Sequence, residues 1–103
     1  MIDVNELADM KRSGETFFLL DVREQHEADL AVIEGSTLIP LGQIPTRLDE
    51  IPKDIPVVAY CHHGGRSQRA LQYLQTQGFT DLTNVVGGVD QWAEQIDPDM
   101  ARY

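Results

Sequence analysis

Val57-Val58-Ala59-Tyr60-Cys61-His62-His63-Gly64-Gly65-Arg66-Ser67 decides how this chain is read. Its first four residues form a short apolar run without alternation. Such a run suits a strand buried on both faces, and those strands belong to parallel sheets. The strand leads straight into a cysteine. Gly64 and Gly65 then open backbone conformations closed to other residues, so the loop can turn its amide hydrogens inward as an anion-binding nest. A helix is expected to begin near Arg66 or Ser67, because Ala70, Leu71 and Leu74 have helical spacing, and to end at Gln77-Gly78. Its positive N-terminal end faces the same loop. Ligands of open α/β sheets bind outside the carboxyl ends of the strands, where Cys61 is expected. A thiol so placed has its pKa lowered from ~8.5 toward ~3.5–7.5, and the thiolate is a nucleophile. A lone cysteine is more often an inert core residue. Here the strand, glycine loop and helix together favour chemistry.

Outward from this stretch the chain alternates strands and helices. Upstream, Asp3 and Glu6 have capping-box spacing, Leu7 and Met10 continue an apolar stripe, and Ser13-Gly14 ends that helix. Phe17 to Val22 reads as a buried strand, Glu24 to Leu30 as a short helix, and Ser36 to Ile39 as a strand halted by Pro40. Residues 43–50 suggest a weak helix and 52–56 a turn. Downstream, Leu82 to Val86 reads as the last strand, and Val89, Trp92, Ala93 and Ile96 as the last helix. The order predicts an α/β fold: a single domain over residues 1–103, with a mostly parallel central sheet flanked by helices.

Composition narrows the function. The 103 residues are 42% hydrophobic and 24% charged, as in ordinary globular domains. One cysteine excludes an internal disulfide and fits a reducing compartment. No apolar run approaches a membrane span and the first residues are acidic, so no membrane association and a cytoplasmic location are expected. A net charge of −9 argues against nucleic acid as a partner. It also means that an anionic substrate needs a local positive pocket.

The Cys61–Ser67 loop is similar to the active-site loop of the rhodanese family. Leu20-Asp21-Val22-Arg23-Glu24, Glu27, Ile33-Glu34-Gly35-Ser36 and Ile39-Pro40-Leu41 resemble that family's upstream signature. Val86-Gly87-Gly88-Val89 with Trp92 resembles its C-terminal one, and Ile96-Asp97-Pro98 with Arg102-Tyr103 looks like the tail of rhodanese modules attached to sulfur-transfer enzymes. The resemblance implies a sulfurtransferase. The Cys61 thiolate would take a sulfane sulfur from a donor such as thiosulfate, hold it as a persulfide, and pass it to cyanide, a thiol or a protein sulfur-relay partner. No cofactor or metal is implied.

The resemblance gives His62, His63, Gly64, Gly65, Arg66 and Ser67 the task of binding substrate and stabilising the persulfide. Arg66 would hold a donor oxyanion by charge-assisted bonds. Asp21 and Arg23 would brace the loop, and the i,i+4 spacing of Arg23 and Glu27 suggests an ion pair between them. Arg69 reads as a surface arginine or a contributor to the local field. His62 and His63 are adjacent, and adjacent residues seldom converge on one metal without further ligands. They could line the loop or lie exposed. Gly35, Gly87 and Gly88 read as turn glycines and Trp92 as core.

Three other functions compete. Cysteine phosphatases and arsenate reductases of this sheet type place five residues between cysteine and arginine, whereas four separate Cys61 from Arg66. The loop also lacks a carboxylate to act as general acid. Non-catalytic rhodanese-like modules usually lack the cysteine. A redox sensor lacks a second thiol here to resolve a sulfenic acid.

Overall fold

The computed structural model describes residues 1–103. Asp3 and Glu6 exchange the two bonds of a capping box and start α1 (Val4–Arg12), which buries Val4, Leu7 and Ala8 and ends at Ser13. There follow β1 (Phe18–Asp21), α2 (Gln25–Leu30) and β2 (Thr37–Leu38), then β3 (Val57–Tyr60), α3 (Gly65–Thr76), β4 (Leu82–Asn84) and α4 (Gly88–Gln95). The expected weak helix over 43–50 is replaced by two 3-10 segments, Leu41–Thr46 and Leu48–Glu50. Pro45 lies inside the first of them, where it removes an amide donor and opposes α-helical continuation.

The four strands form an all-parallel sheet in the order β2-β1-β3-β4. Successive side chains of a strand leave opposite faces, and the core divides accordingly. Leu20, Val22, Val57, Ala59 and Cys61 pack with Ala70, Leu71 and Leu74 of α3. Leu19, Val58 and Tyr60 pack with Leu7 of α1 and Val89 and Trp92 of α4. Both faces are therefore covered, which is why β1 and β3 read as continuous apolar runs.

From β1 the chain crosses to β2 on one side and then to β3 on the other. Their outgoing segments diverge at this switch point, where α/β sheets open a crevice for ligands. Glu27 from α2 and Arg66 from α3 meet across it. No helix is long and apolar enough to cross a membrane.

Candidate active site

Cys61 follows β3 and is buried, at 1% exposure. The Gly64 amide donates to its Sγ at 3.0 Å, and the Ser67 hydroxyl stands 3.5 Å away. Burial pushes the thiol pKa up. Bonds from the Ser67 hydroxyl and from the amides of Ser67, Gly64 and His63 push it down and prevail. The anion is thus favoured mainly by neutral donors, as a nest provides.

The loop can aim these amides at sulfur because its carbonyls are engaged elsewhere. Gly87 N–H donates to His63, Val89 N–H to Cys61 and Asp90 N–H to His62, at 2.9–3.1 Å. The first turn of α4 therefore holds the outer side of the loop. Gly88 makes this approach possible: with φ +55°, an added Cβ would lie 2.3 Å from the Cys61 carbonyl oxygen and 2.6 Å from that of His62. Gly88, expected as a turn glycine, is also where two backbones touch. Gly64, with φ +127°, has the special conformation expected of it. Gly65 does not: it is the first helical residue of α3, and a Cβ there would meet nothing.

Asp21 and Arg23 form a fully buried fork, with bonds of 2.9 and 2.8 Å. Tyr60, paired with Asp21 in the strand register, donates its hydroxyl to the same carboxylate at 3.1 Å. Its own pKa is pushed up to about 12, first by burial and then by the Asp21 charge. The Arg23 guanidinium also donates to the Ala31 and Glu27 carbonyl oxygens and to the Tyr103 hydroxyl. The expected side-chain pair between Arg23 and Glu27 does not form. Arg23 precedes α2 and turns inward to the nearer carboxylate of Asp21, reaching Glu27 only through its backbone.

The Glu27 carboxylate instead forms a fork with Arg66, at 2.7 and 2.8 Å. These bonds hold the Glu27 pKa at about 2 against the opposing effect of burial, with help from the Glu24 amide and the Tyr103 hydroxyl. The cation expected to meet a donor oxyanion therefore already holds a carboxylate. Arg69 is exposed.

His62 and His63 part company. His63 is exposed and stands 3.9 Å from Asp90. His62 is half-buried and stacks on Tyr103, with ring centroids 3.9 Å apart and 8° between planes. Burial and then the neighbouring His63 lower its pKa, and its buried Nε2 has no hydrogen-bond partner. No cluster of three or more metal-ligating side chains occurs.

Sequence reading missed Asn84, which joins Ser67 to the loop through bonds to Ser67 Oγ and the Gly64 carbonyl. One signal was available, a polar residue ending a strand expected to be buried. The sequence marks Tyr103 only as part of a tail, yet its hydroxyl bridges Arg23 and Glu27. The largest cavity, about 530 Å3, is lined by Gln68, Leu71, Gln72, Phe79 and Asn84 among others, and does not include Cys61.

Fold and site together define a class: a parallel α/β domain with one cysteine in an amide-lined loop at the carboxyl end of a central strand. The chain belongs to the rhodanese family, since the model of the Rhodanese-like domain matches residues 3–95. It is similar to a probable adenylyltransferase/sulfurtransferase MoeZ of Mycobacterium tuberculosis, with 39% identity over 99% of this chain but only 26% of that protein. This chain thus spans about a quarter of that relative's length. A sulfurtransferase of Allochromatium vinosum is 37% identical over 97% of this chain and 94% of its own length. Among solved structures, a rhodanese-like domain protein from Staphylococcus aureus superposes with a TM-score of 0.85, at 28% identity over 99% of this chain and 96% of that one.

Proposed function

We propose that this domain is a sulfurtransferase that carries sulfane sulfur as a persulfide on Cys61. The Cys61 thiolate attacks the outer sulfur of a donor such as thiosulfate. A sulfur–sulfur bond forms, the donor's own sulfur–sulfur bond breaks, and sulfite leaves with its electron pair. A nucleophilic acceptor, cyanide or a thiol, then attacks the outer sulfur of the persulfide and releases the thiolate. Such two-step schemes divide one difficult transfer into two easier ones.

The observation that carries this reading is the Gly64 amide 3.0 Å from Cys61 Sγ, in a loop whose Cys61, His62 and His63 carbonyls point away toward α4. Neutral amides suit a singly charged sulfur. Arg66 adds a positive charge at the rim, which Glu27 shares. An anionic donor must therefore compete with that carboxylate. A persulfide offered by a thiol or by a partner protein meets no such competition, and transfer within a sulfur relay is consistent with the site.

The test is intact-protein mass spectrometry after incubation with thiosulfate, beside a thiocyanate assay. The native protein is expected to gain one sulfur atom and lose it on adding cyanide. Cys61→Ser should stay folded, gain no sulfur and lose transfer entirely. Sulfur transfer retained in that variant, or release of phosphate from an aryl phosphate with no thiocyanate formed, would overturn the proposal.

A further inference from the structure

Asn84 ends β4 with its side chain buried, and its amide has two neighbours in the cysteine site. Nδ2 donates to the Gly64 carbonyl oxygen at 3.1 Å. A carbonyl oxygen only accepts, so this bond fixes the orientation of the amide. Oδ1 therefore faces the Ser67 hydroxyl, 2.5 Å away, and the hydroxyl must be the donor.

Ser67 has a single hydroxyl hydrogen and three acceptors within reach. Besides Asn84 Oδ1 these are the Gly64 carbonyl at 3.1 Å and Cys61 Sγ at 3.5 Å. A neutral thiol is a weak acceptor, so at rest the hydrogen belongs to Asn84. An ionised sulfur is a much stronger acceptor, because bonds to charged groups are about twice as strong as neutral ones. Turning the hydroxyl toward sulfur then leaves Oδ1 buried without that donor, which has its own cost.

We propose that Asn84 is a positioning residue for Cys61, which clamps the loop through Gly64 and competes with the sulfur for the one hydrogen of Ser67. The proposal rests on reading Cys61 as the nucleophile. The consequence is a limit on how far the site stabilises its anion. A thiolate stabilised too strongly is a poorer nucleophile, since nucleophilicity falls with pKa. Asn84 thus holds the sulfur between full protonation and inertness.

The experiment is titration of the Cys61 thiolate by its ultraviolet absorbance in the native protein, Asn84→Ala, Ser67→Ala and the double variant. Arg66 with Glu27, Arg23 with Asp21, Tyr60, His62, His63 and Asp90 are common to all four, so their charges cancel in the comparison. Asn84→Ala is expected to move the titration about one pH unit lower where Ser67 is present, and not to move it where Ser67 is absent. An equal shift in both backgrounds, or an upward shift beside Ser67, would overturn the proposal. Should Asn84→Ala not fold, Asn84→Asp serves: its carboxylate binds the hydroxyl hydrogen more strongly and should raise the titration, by a smaller amount once Ser67 is removed. Equal rises in both backgrounds would count against competition. The titration needs no sulfur donor, so its failure is distinguishable from a failure of Cys61 to load sulfur.

Discussion

Two carboxylate–guanidinium forks flank the Cys61 loop, and they differ mainly in burial. Asp21 and Arg23 have no exposed side-chain surface, whereas Arg66 is 31% exposed and Glu27 10%. A buried pair has been taken wholly out of water, and that cost is recovered only when nearly every polar atom has a partner. Arg23 meets this demand with bonds to Asp21, Ala31, Glu27 and Tyr103, and Asp21 takes a further bond from Tyr60. Burial opposes the Arg23 charge, but the bonds to Asp21 and Tyr103 and the Asp21 charge outweigh it, so the Arg23 pKa is raised. The rim pair has fewer partners, and Arg66 touches solvent. The same chemistry is sealed inside the protein in one place and reaches solvent in the other.

The largest expected effect comes from breaking the buried fork. Arg23→Ala leaves Asp21 charged inside the protein, and should lower stability by about 3–5 kcal/mol. Urea unfolding monitored by Trp92 fluorescence measures it. A loss below about 1 kcal/mol, the range of exposed pairs, would erase the contrast between the forks.

The rim fork should respond to pH and to donor charge. Glu27 titrates at about 2 in the folded chain, below its ordinary 4.5. Its contribution is therefore fully present above about 4.5 and is lost as pH falls toward 2. Glu27→Gln should cost about 2 kcal/mol at neutral pH, allowing for the solvent around Arg66, and the gap from the native protein should close on acidification. A gap that stays constant between neutral and acidic pH would refute the linkage. The same variant frees Arg66, so the KM for thiosulfate should fall several-fold while that for a persulfide donor, which has no oxyanion group, changes less. Equal changes for both donors would show that Arg66 does not meet the donor's charge.

The smallest effect belongs to the link between the forks. Tyr103 accepts from Arg23 and donates to Glu27. Tyr103→Phe keeps the ring stacked on His62 and removes only the hydroxyl, at a cost of about 1 kcal/mol in thermal or urea unfolding. A loss as large as that of Arg23→Ala would mean that the two forks act as one unit, and no measurable loss would mean that the bridge is not used.

Local pattern determined much of this protein. Buried strands announce themselves as unbroken apolar runs, helix starts as caps, and the Cys61 loop as a cysteine between a strand and glycines. These signals lie within a few residues of what they predict, so the order of elements and the place of Cys61 at the end of a buried strand were legible. The 3-10 segments were less so, since Gly42 and Pro45 act against a helix that the remaining residues weakly favour. Only the tertiary structure decided who pairs with whom. Spacing offered Glu27 to Arg23 along one helix, but strand order carries Arg66 to Glu27 from 39 positions away and leaves Arg23 to Asp21. Gly88 and Asn84 gained their contacts in the same way. Hydrogen bonds and steric contact act over a few ångströms, and which distant residues come that close is set by the sheet.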